Sequence, residues 1–151
     1  MPDVVREGVF FLKGKDFDNA GAASSEIKAV LEQMGVDRSI IRRAAIASFE
    51  AEMNVIIYTP AGILRYKIAP DYINVVFDDV GPGIEDVDLA MKEGYSTAPD
   101  FIRDMGFGSG MGLPNIKKNA DELKISSQPG VGTNLEFIIH IKKINEAPGN
   151  S

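Results

Sequence analysis

Two polar side chains that could bind a metal-bound phosphate lie about one helical turn apart in the first half of the chain. Glu50 and Asn54 are four residues apart, so on a helix they share a face. A carboxylate beside an amide oxygen can hold a metal-bound phosphate and orient an attacking group. By itself such a pair more often marks a solvated helix face, because exposed polar stripes are common.

The segment DDVGPGIED, residues 78–86, joins a carboxylate to two glycines at the end of a predicted strand. Gly81 and Gly83 would let the backbone turn sharply and approach a ligand closely. The carboxylate of Asp79 would then be placed to accept a hydrogen bond from an exocyclic amine. A plain turn is the alternative, because this composition is also typical of turns.

Four alternating glycines, at positions 106, 108, 110 and 112, stand directly before a predicted helix. Exposed N–H groups at a helix start bind anions such as phosphates. The run is followed by no Gly-Lys-Ser/Thr, which excludes a P-loop, and its spacing does not fit the dinucleotide fingerprint. A flexible linker is the alternative. A fourth motif, PGVGT at 129–133, is by itself a hairpin turn.

The elements that must position these motifs follow the order β-α-α-β-β-(glycine loop)-α-β-β. Alternating apolar residues predict strands at 4–13, 63–68, 72–78, 123–128 and 133–143. Apolar residues at helical spacing predict helices at about 18–34, 38–58 and 113–121. The order predicts an α+β fold, a two-layer sandwich in which a mixed, mainly antiparallel sheet carries helices on one face.

The helix that carries Glu50 and Asn54 has clear boundaries in the sequence. Asp37 is a suitable N-cap, and Pro60 ends the helical pattern. Within this helix, Phe49 and Met53 are expected to point towards the core.

The length and composition of the chain exclude several classes of function. The 151 residues suit a single domain, expected at 1–144, followed by a frayed tail at 145–151. A net charge of −6 argues against direct binding of nucleic acid. The absence of cysteine and the single histidine exclude disulfides and Cys- or His-rich metal sites. No apolar run nears a membrane span and no signal peptide is evident, so we expect a cytoplasmic protein without a membrane partner.

Taken together, the four motifs resemble the ATP-site boxes of the GHKL superfamily, which comprises gyrase, heat-shock chaperone, histidine-kinase and MutL ATPases. The shared features are Glu-x-x-x-Asn, Asp-x-Gly-x-Gly, Gly-x-Gly-x-Gly-Leu and Gly-Thr, in that order. The resemblance covers about residues 40–140. It implies a Bergerat-type ATP-binding fold with ATP and Mg²⁺ as cofactors.

The resemblance also implies a role for each matched residue. Asn54 would bind Mg²⁺, and Glu50 would act as the general base or position the attacking group. Asp79 would bind the adenine amino group, and Thr133 would reach the adenine edge. The other residues implied to surround the nucleotide are Gly81, Gly83, Gly108, Gly110, Met111, Gly112 and Leu113.

Residues 93–123, EGYSTAPDFIRDMGFGSGMGLPNIKKNADEL, resemble the small stand-alone serine/threonine kinases of bacterial anti-sigma and stressosome switches. This implies phosphorylation of a STAS-domain antagonist in a partner switch with a sigma factor. Some related kinases pair through a sheet surface, so monomer and homodimer both stay open. Because Gly108–Ser109 stands where such kinases tend to carry a basic residue, a non-catalytic ATP-dependent binding switch is one alternative. A stand-alone histidine-kinase-like domain is the other.

Overall fold

The computed structural model describes residues 5–84, 86–92 and 112–141. Within these ranges five strands form one sheet in the order β1-β2-β3-β5-β4, and each of the four pairings is antiparallel. The strands are β1 Arg6–Lys13, β2 Ala61–Ala69, β3 Tyr72–Asp79, β4 Glu122–Gln128 and β5 Gly132–His140. The helices are α1 Ala22–Gln33, α2 Arg38–Tyr58, α3 Val87–Ala90 and α4 Gly112–Asn119.

Alternation along the strands gives the sheet one buried and one open face. The inward residues of the three central strands are almost fully buried against α1, α2 and α4; they include Leu64, Ile68, Ile73, Val75, Phe137 and Ile139. Their neighbours on the open face are partly or fully exposed, as a half-buried antiparallel sheet requires. The predicted two-layer α+β sandwich with helices on one face is confirmed.

The second helix has the bounds that its sequence predicts. The carboxylate of Asp37 accepts a hydrogen bond from the backbone N–H of Ser39 at 3.3 Å and so caps the first turn. At the other end, the backbone N–H of Lys15 donates to the carbonyl of Ile56 at 2.8 Å. The Lys15 ammonium donates to the carbonyl of Ile57. Both termini of α2 are therefore stabilised, which fixes the helix on which Glu50 and Asn54 lie.

A buried carboxylate joins α2 to the start of α1. Glu52 is 1% exposed, and its two oxygens accept the backbone N–H groups of Gly21, Ala23 and Ser24 at 3.0, 3.4 and 3.1 Å. These N–H groups have no partner within their own helix, because they belong to its first turn. Gly21 has φ +95° and separates α1 from a short 3-10 turn at Phe17–Asn19. The helix predicted at about 18–34 therefore begins at Ala22.

One orientation on α2 differs from the prediction. Met53 is buried as expected, whereas Phe49 is 38% exposed and lies beside Gly21 at the start of α1. The alanines Ala44, Ala47 and Ala51 bring α2 close to its neighbours and occupy its core face. The expectation for Phe49 is wrong because small residues, rather than the aromatic ring, form this contact.

Two further expectations fall partly or wholly outside the described residues. The tail at 145–151 lies beyond them, and the single-domain assignment of 1–144 stays a prediction. No helix in the described part of the chain is long and apolar enough to cross a membrane.

Candidate functional site

The start of α4 lies against the polar face of α2. A Cβ atom at Gly112 would lie only 3.1 Å from Asn54 Oδ1, so the missing side chain allows the two elements to approach closely. Leu113 and Ile116 are 8% and 0% exposed and anchor α4 in the core. Within the described ranges no hydrogen bond reaches the Asn54 amide, which leaves its oxygen available to a ligand.

Glu50 has a partner that the sequence analysis missed. The Asn115 amide donates a hydrogen bond from Nδ2 to Glu50 Oε2 at 2.9 Å, across 65 positions of sequence. The bond orients one carboxylate oxygen and ties it to the helix that follows the glycine run. The only sequence signal was an amide between the two core-facing residues of this short helix.

The far end of α4 is fixed by a second polar link to α2. Arg43 donates from Nε to the carbonyl of Asn119 and from Nη2 to Asp121 Oδ1, both at 2.9 Å. The other oxygen of Asp121 accepts the backbone N–H of His140 at 2.7 Å. Burial alone would raise the pKa of Asp121, but the hydrogen bonds from His140 and Arg43 lower it below its ordinary value. Both ends of α4 are thus held against the helix that carries Glu50 and Asn54.

Asp79 lies at the end of β3 with one oxygen engaged. Its Oδ1 accepts the backbone N–H groups of Gly81 and Thr133, both at 3.1 Å. Burial raises the pKa of Asp79 above its ordinary 3.8, although these two hydrogen bonds oppose the shift. Among the residues the structure describes, none donates to Oδ2. This oxygen can accept a hydrogen bond from a ligand while Oδ1 keeps the carboxylate in place.

The two glycines after Asp79 allow a close fit of the loop to its surroundings. A Cβ at Gly81 would lie 2.7 Å from the Thr59 methyl carbon at the end of α2. Gly83 has φ +75°, and a Cβ there would lie 2.5 Å from the carbonyl oxygen of Gln128. A side chain at either position would displace the loop from α2 or from the β4–β5 hairpin.

Ser127 is a second residue that the sequence analysis missed. Its hydroxyl accepts the backbone N–H of Ile84 at 2.6 Å and lies 3.0 Å from the Thr133 hydroxyl. It therefore connects the loop after Asp79 to both strands of the hairpin. No sequence motif marks this serine, because its partners come from two segments that are distant from each other in the chain.

The candidate site has two halves, and the second helix runs past both of them. Asn54 and Thr59 are five residues apart, which corresponds to about 8 Å along a helix. One half offers the carboxylate and amide of Glu50 and Asn54 with the start of α4, and the other offers Asp79 and Thr133. Gly81, Gly83, Gly112 and Leu113 border these halves, whereas Gly108, Gly110 and Met111 lie outside the described residues.

Comparisons with known proteins find a matching family model and several similar proteins. Residues 38–143 match the family model described as histidine kinase-, DNA gyrase B-, and HSP90-like ATPase. The chain is 28% identical over 113 residues to the serine/threonine-protein kinase RsbT of Bacillus subtilis (strain 168), covering 72% of this chain and 79% of that protein.

Two anti-sigma F factors are also similar. That of Clostridium novyi (strain NT) is 30% identical over 132 residues, covering 83% of this chain and 89% of its own length. That of Halalkalibacterium halodurans is 25% identical over 127 residues, covering 82% and 80%. With a family match that spans most of the chain, this protein belongs to the histidine kinase-, DNA gyrase B- and HSP90-like ATPases, the superfamily that the four motifs resemble.

Proposed function

We propose that this chain is an ATP-dependent serine/threonine protein kinase that acts on a protein partner. The observation that carries the proposal is the division of the site along α2. At one end lie the Glu50 carboxylate, oriented by Asn115, and the Asn54 amide; at the other lies the Asp79 carboxylate, and no described residue donates to that amide oxygen or to Asp79 Oδ2. The similarity to a serine/threonine-protein kinase and to anti-sigma F factors supports the same assignment.

Asp79 and Thr133 are the proposed adenine-binding residues. Asp79 Oδ2 would accept a hydrogen bond from the exocyclic amine, while Oδ1 stays bonded to Gly81 and Thr133. The Thr133 hydroxyl, held by Ser127, would face the adenine edge. The lack of a side chain at Gly81 and Gly83 keeps this loop in place beside the base.

The phosphates would bind at the start of α4. Gly112 and Leu113 belong to its first turn, whose N–H groups favour anions. We assign the preceding Gly108, Gly110 and Met111 to the same phosphate-binding segment.

Asn54 is the proposed protein ligand of Mg²⁺. Its amide oxygen is a hard ligand of the type that Mg²⁺ prefers, and the close approach of Gly112 supports a role beside the proposed phosphate site. Mg²⁺ bound through one protein group takes its other ligands from phosphates and water. When bound, the ion would neutralise charge on the transferred phosphoryl group.

Glu50 is the proposed general base. A substrate hydroxyl brought to its carboxylate would pass a proton to the oxygen that is not bonded to Asn115. Asn115 would keep the carboxylate turned towards α4, where the phosphates are proposed to bind.

The proposed partner is a STAS-domain antagonist of a sigma factor, or the sigma factor itself, in the cytoplasm. Support comes from the relatives named as anti-sigma F factors. A homodimer is also proposed, because Phe11 and Val9 on the open face of the sheet are 81% and 53% exposed. Large apolar side chains exposed together favour contact with a second protein surface.

The decisive test is phosphoryl transfer from radiolabelled ATP to purified STAS-domain proteins. We expect an acid-stable label on serine or threonine with the wild-type chain, and its loss in Glu50→Gln with ATP affinity retained. Glu7→Gln, at an exposed position of β1, is the matched control. An acid-labile label would indicate a histidine kinase, and ATP-dependent binding without any label would indicate a binding switch.

A further inference from the structure

A groove of about 470 Å³ opens between α1 and the first half of α2, apart from the proposed nucleotide site. Its floor is apolar and consists of Ile41, Ala45 and Ile46. Its charged lining consists of Lys28 and Glu32 from α1 and of Arg38 and Arg42 from α2. The nucleotide-site residues do not line it.

The charge of this groove is opposite to that of the whole chain. Three cations face one carboxylate here, whereas the net charge of the protein is −6. Across the described part of the chain, no carboxylate forms an ion pair with Lys28, Arg38 or Arg42. The neighbouring Arg43, by contrast, is neutralised by Asp121 at 2.9 Å. Clustered cations without partners attract an anionic ligand.

The apolar floor limits which chemical class of ligand would fit the groove. Ile41 is 8% exposed, and Ala45 and Ile46 are half-buried, so the groove offers apolar surface below its ring of cations. A free phosphate or a nucleic-acid backbone would use the cations and leave the floor uncovered. A peptide segment that interleaves carboxylates with apolar side chains would use both.

Glu50 lies on the same helix as the groove, one turn beyond Ile46. Arg42, Ile46 and Glu50 follow one another at four-residue spacing, which places them along one side of the helix. The eight residues from Arg42 to Glu50 span about 12 Å of helix, a distance that roughly four residues of extended chain would cover. Phe49, which is 38% exposed, follows Ile46 by three residues and adds exposed apolar surface to this part of α2.

We propose that this groove docks an acidic, partly apolar segment of the protein partner. The docked segment would hold a neighbouring part of the partner close to Glu50, which is a role in substrate selection rather than in nucleotide binding. The part of this inference that concerns Glu50 rests on the proposed function. The docking itself needs no ATP.

The first experiment measures binding of a defined probe to the full chain by fluorescence anisotropy. The probe is a short fluorescein-labelled peptide of alternating glutamate and leucine, and the comparison peptide has glutamine for glutamate. We expect saturable binding of the acidic peptide alone. Lys28→Glu and Arg42→Glu should each weaken it about tenfold, since like charges then face each other. Lys67→Glu, on the open face of the sheet, is the matched control and should change it less than about twofold.

Several outcomes would overturn the docking proposal. These are no binding of the acidic peptide, equal binding of the glutamine peptide, an unchanged affinity in both groove variants, or equally tight binding of a single-stranded oligonucleotide. If a variant fails to fold, the binding site is located from the amide chemical-shift changes that the acidic peptide causes in the wild-type chain. Shifts must concentrate at Ala45 and Ile46 rather than at Lys67.

Measurement of ATP affinity in the same variants separates the two proposals. The groove variants should bind ATP as the wild type does, because no groove residue contacts Asn54 or Asp79 in the described structure. If the wild type bound peptide but no ATP, the proposed function would fail and the docking site would stand. If ATP bound normally and charge reversal left peptide affinity unchanged, the docking site alone would fail.

Discussion

Replacement of Asp79 by asparagine changes one end of the proposed nucleotide site with little change in shape. The amide oxygen of Asn can still accept the N–H groups of Gly81 and Thr133, which lie 3.1 Å from Asp79 Oδ1. The other oxygen becomes an NH₂ group. In the variant, this NH₂ group and the adenine amine would both be donors and could form no hydrogen bond. In the wild type, Oδ2 is an acceptor.

The expected loss follows from the hydrogen bond that disappears. A hydrogen bond to a charged acceptor contributes about 1.5–3 kcal/mol, and a buried unpaired donor adds a penalty of its own. We therefore expect ATP to bind about 3 kcal/mol more weakly, which is roughly 100-fold in Kd.

Although Asp79→Asn should weaken ATP binding, it should not lower the stability of the nucleotide-free chain. Burial raises the pKa of Asp79 above 3.8, so its contribution to stability is present below pH 3.8 and is lost as pH rises through the raised value. At neutral pH the ionised group is therefore unfavourable in the folded chain, and Asp79→Asn should be at least as stable as the wild type. By the same pKa shift, ATP affinity of the wild type should fall on acidification before a carboxyl with the ordinary pKa of 3.8 would protonate.

Isothermal titration calorimetry with ATP and thermal unfolding of the nucleotide-free protein test both expectations. Asp78→Asn is the matched control, because Asp78 neighbours Asp79 but is about half exposed and pairs with Arg65 at 3.7 Å. Its ATP affinity should change less than about threefold. An Asp79→Asn protein that is folded and binds ATP within threefold of wild type would refute the adenine-binding role. A large loss of thermal stability would instead mark Asp79 as chiefly structural.

Three further substitutions test the supports of the site. Asn115→Leu should lower the kcat of phosphoryl transfer about tenfold with little change in KM for ATP, because it releases the Glu50 carboxylate from α4; steady-state kinetics measure this. Ser48→Ala should raise the free energy of unfolding in urea by about 1 kcal/mol, because among the described residues nothing pairs with its buried hydroxyl. Glu52→Ala should lower the same quantity by about 3 kcal/mol, because it strips three backbone N–H groups of their acceptor.

Each of these expectations has a result that contradicts it. A KM effect without a kcat effect in Asn115→Leu would place Asn115 in ATP binding rather than in positioning Glu50. Destabilisation by Ser48→Ala would mean that the hydroxyl has a favourable partner. For Glu52, substitution by glutamine is the control, because it keeps one oxygen acceptor and the side-chain volume. A loss as large as that in Glu52→Ala would show that the one acceptor oxygen kept by glutamine does not stabilise the start of α1.

Features that depend on neighbours in the chain follow from the local sequence. The bounds of α2 follow from Asp37 as N-cap and from Pro60 beyond its last turn, and both act within a few residues. The shared face of Glu50 and Asn54 follows from helical geometry alone. The alternation of the strands and the order of the elements likewise predict a mixed, mainly antiparallel sheet with helices on one face, because burial along a strand repeats every second residue.

Contacts between groups that are distant in the chain depend on the packed fold. The bond from Asn115 to Glu50 spans 65 positions, and the burial of Glu52 against the start of α1 joins residues about thirty apart. Helical spacing predicts that Phe49 faces the core, yet small alanines fill that face and the ring is partly exposed. These contacts depend on how whole elements pack, and packing is set by shape and hydrogen bonding across the fold rather than by local spacing.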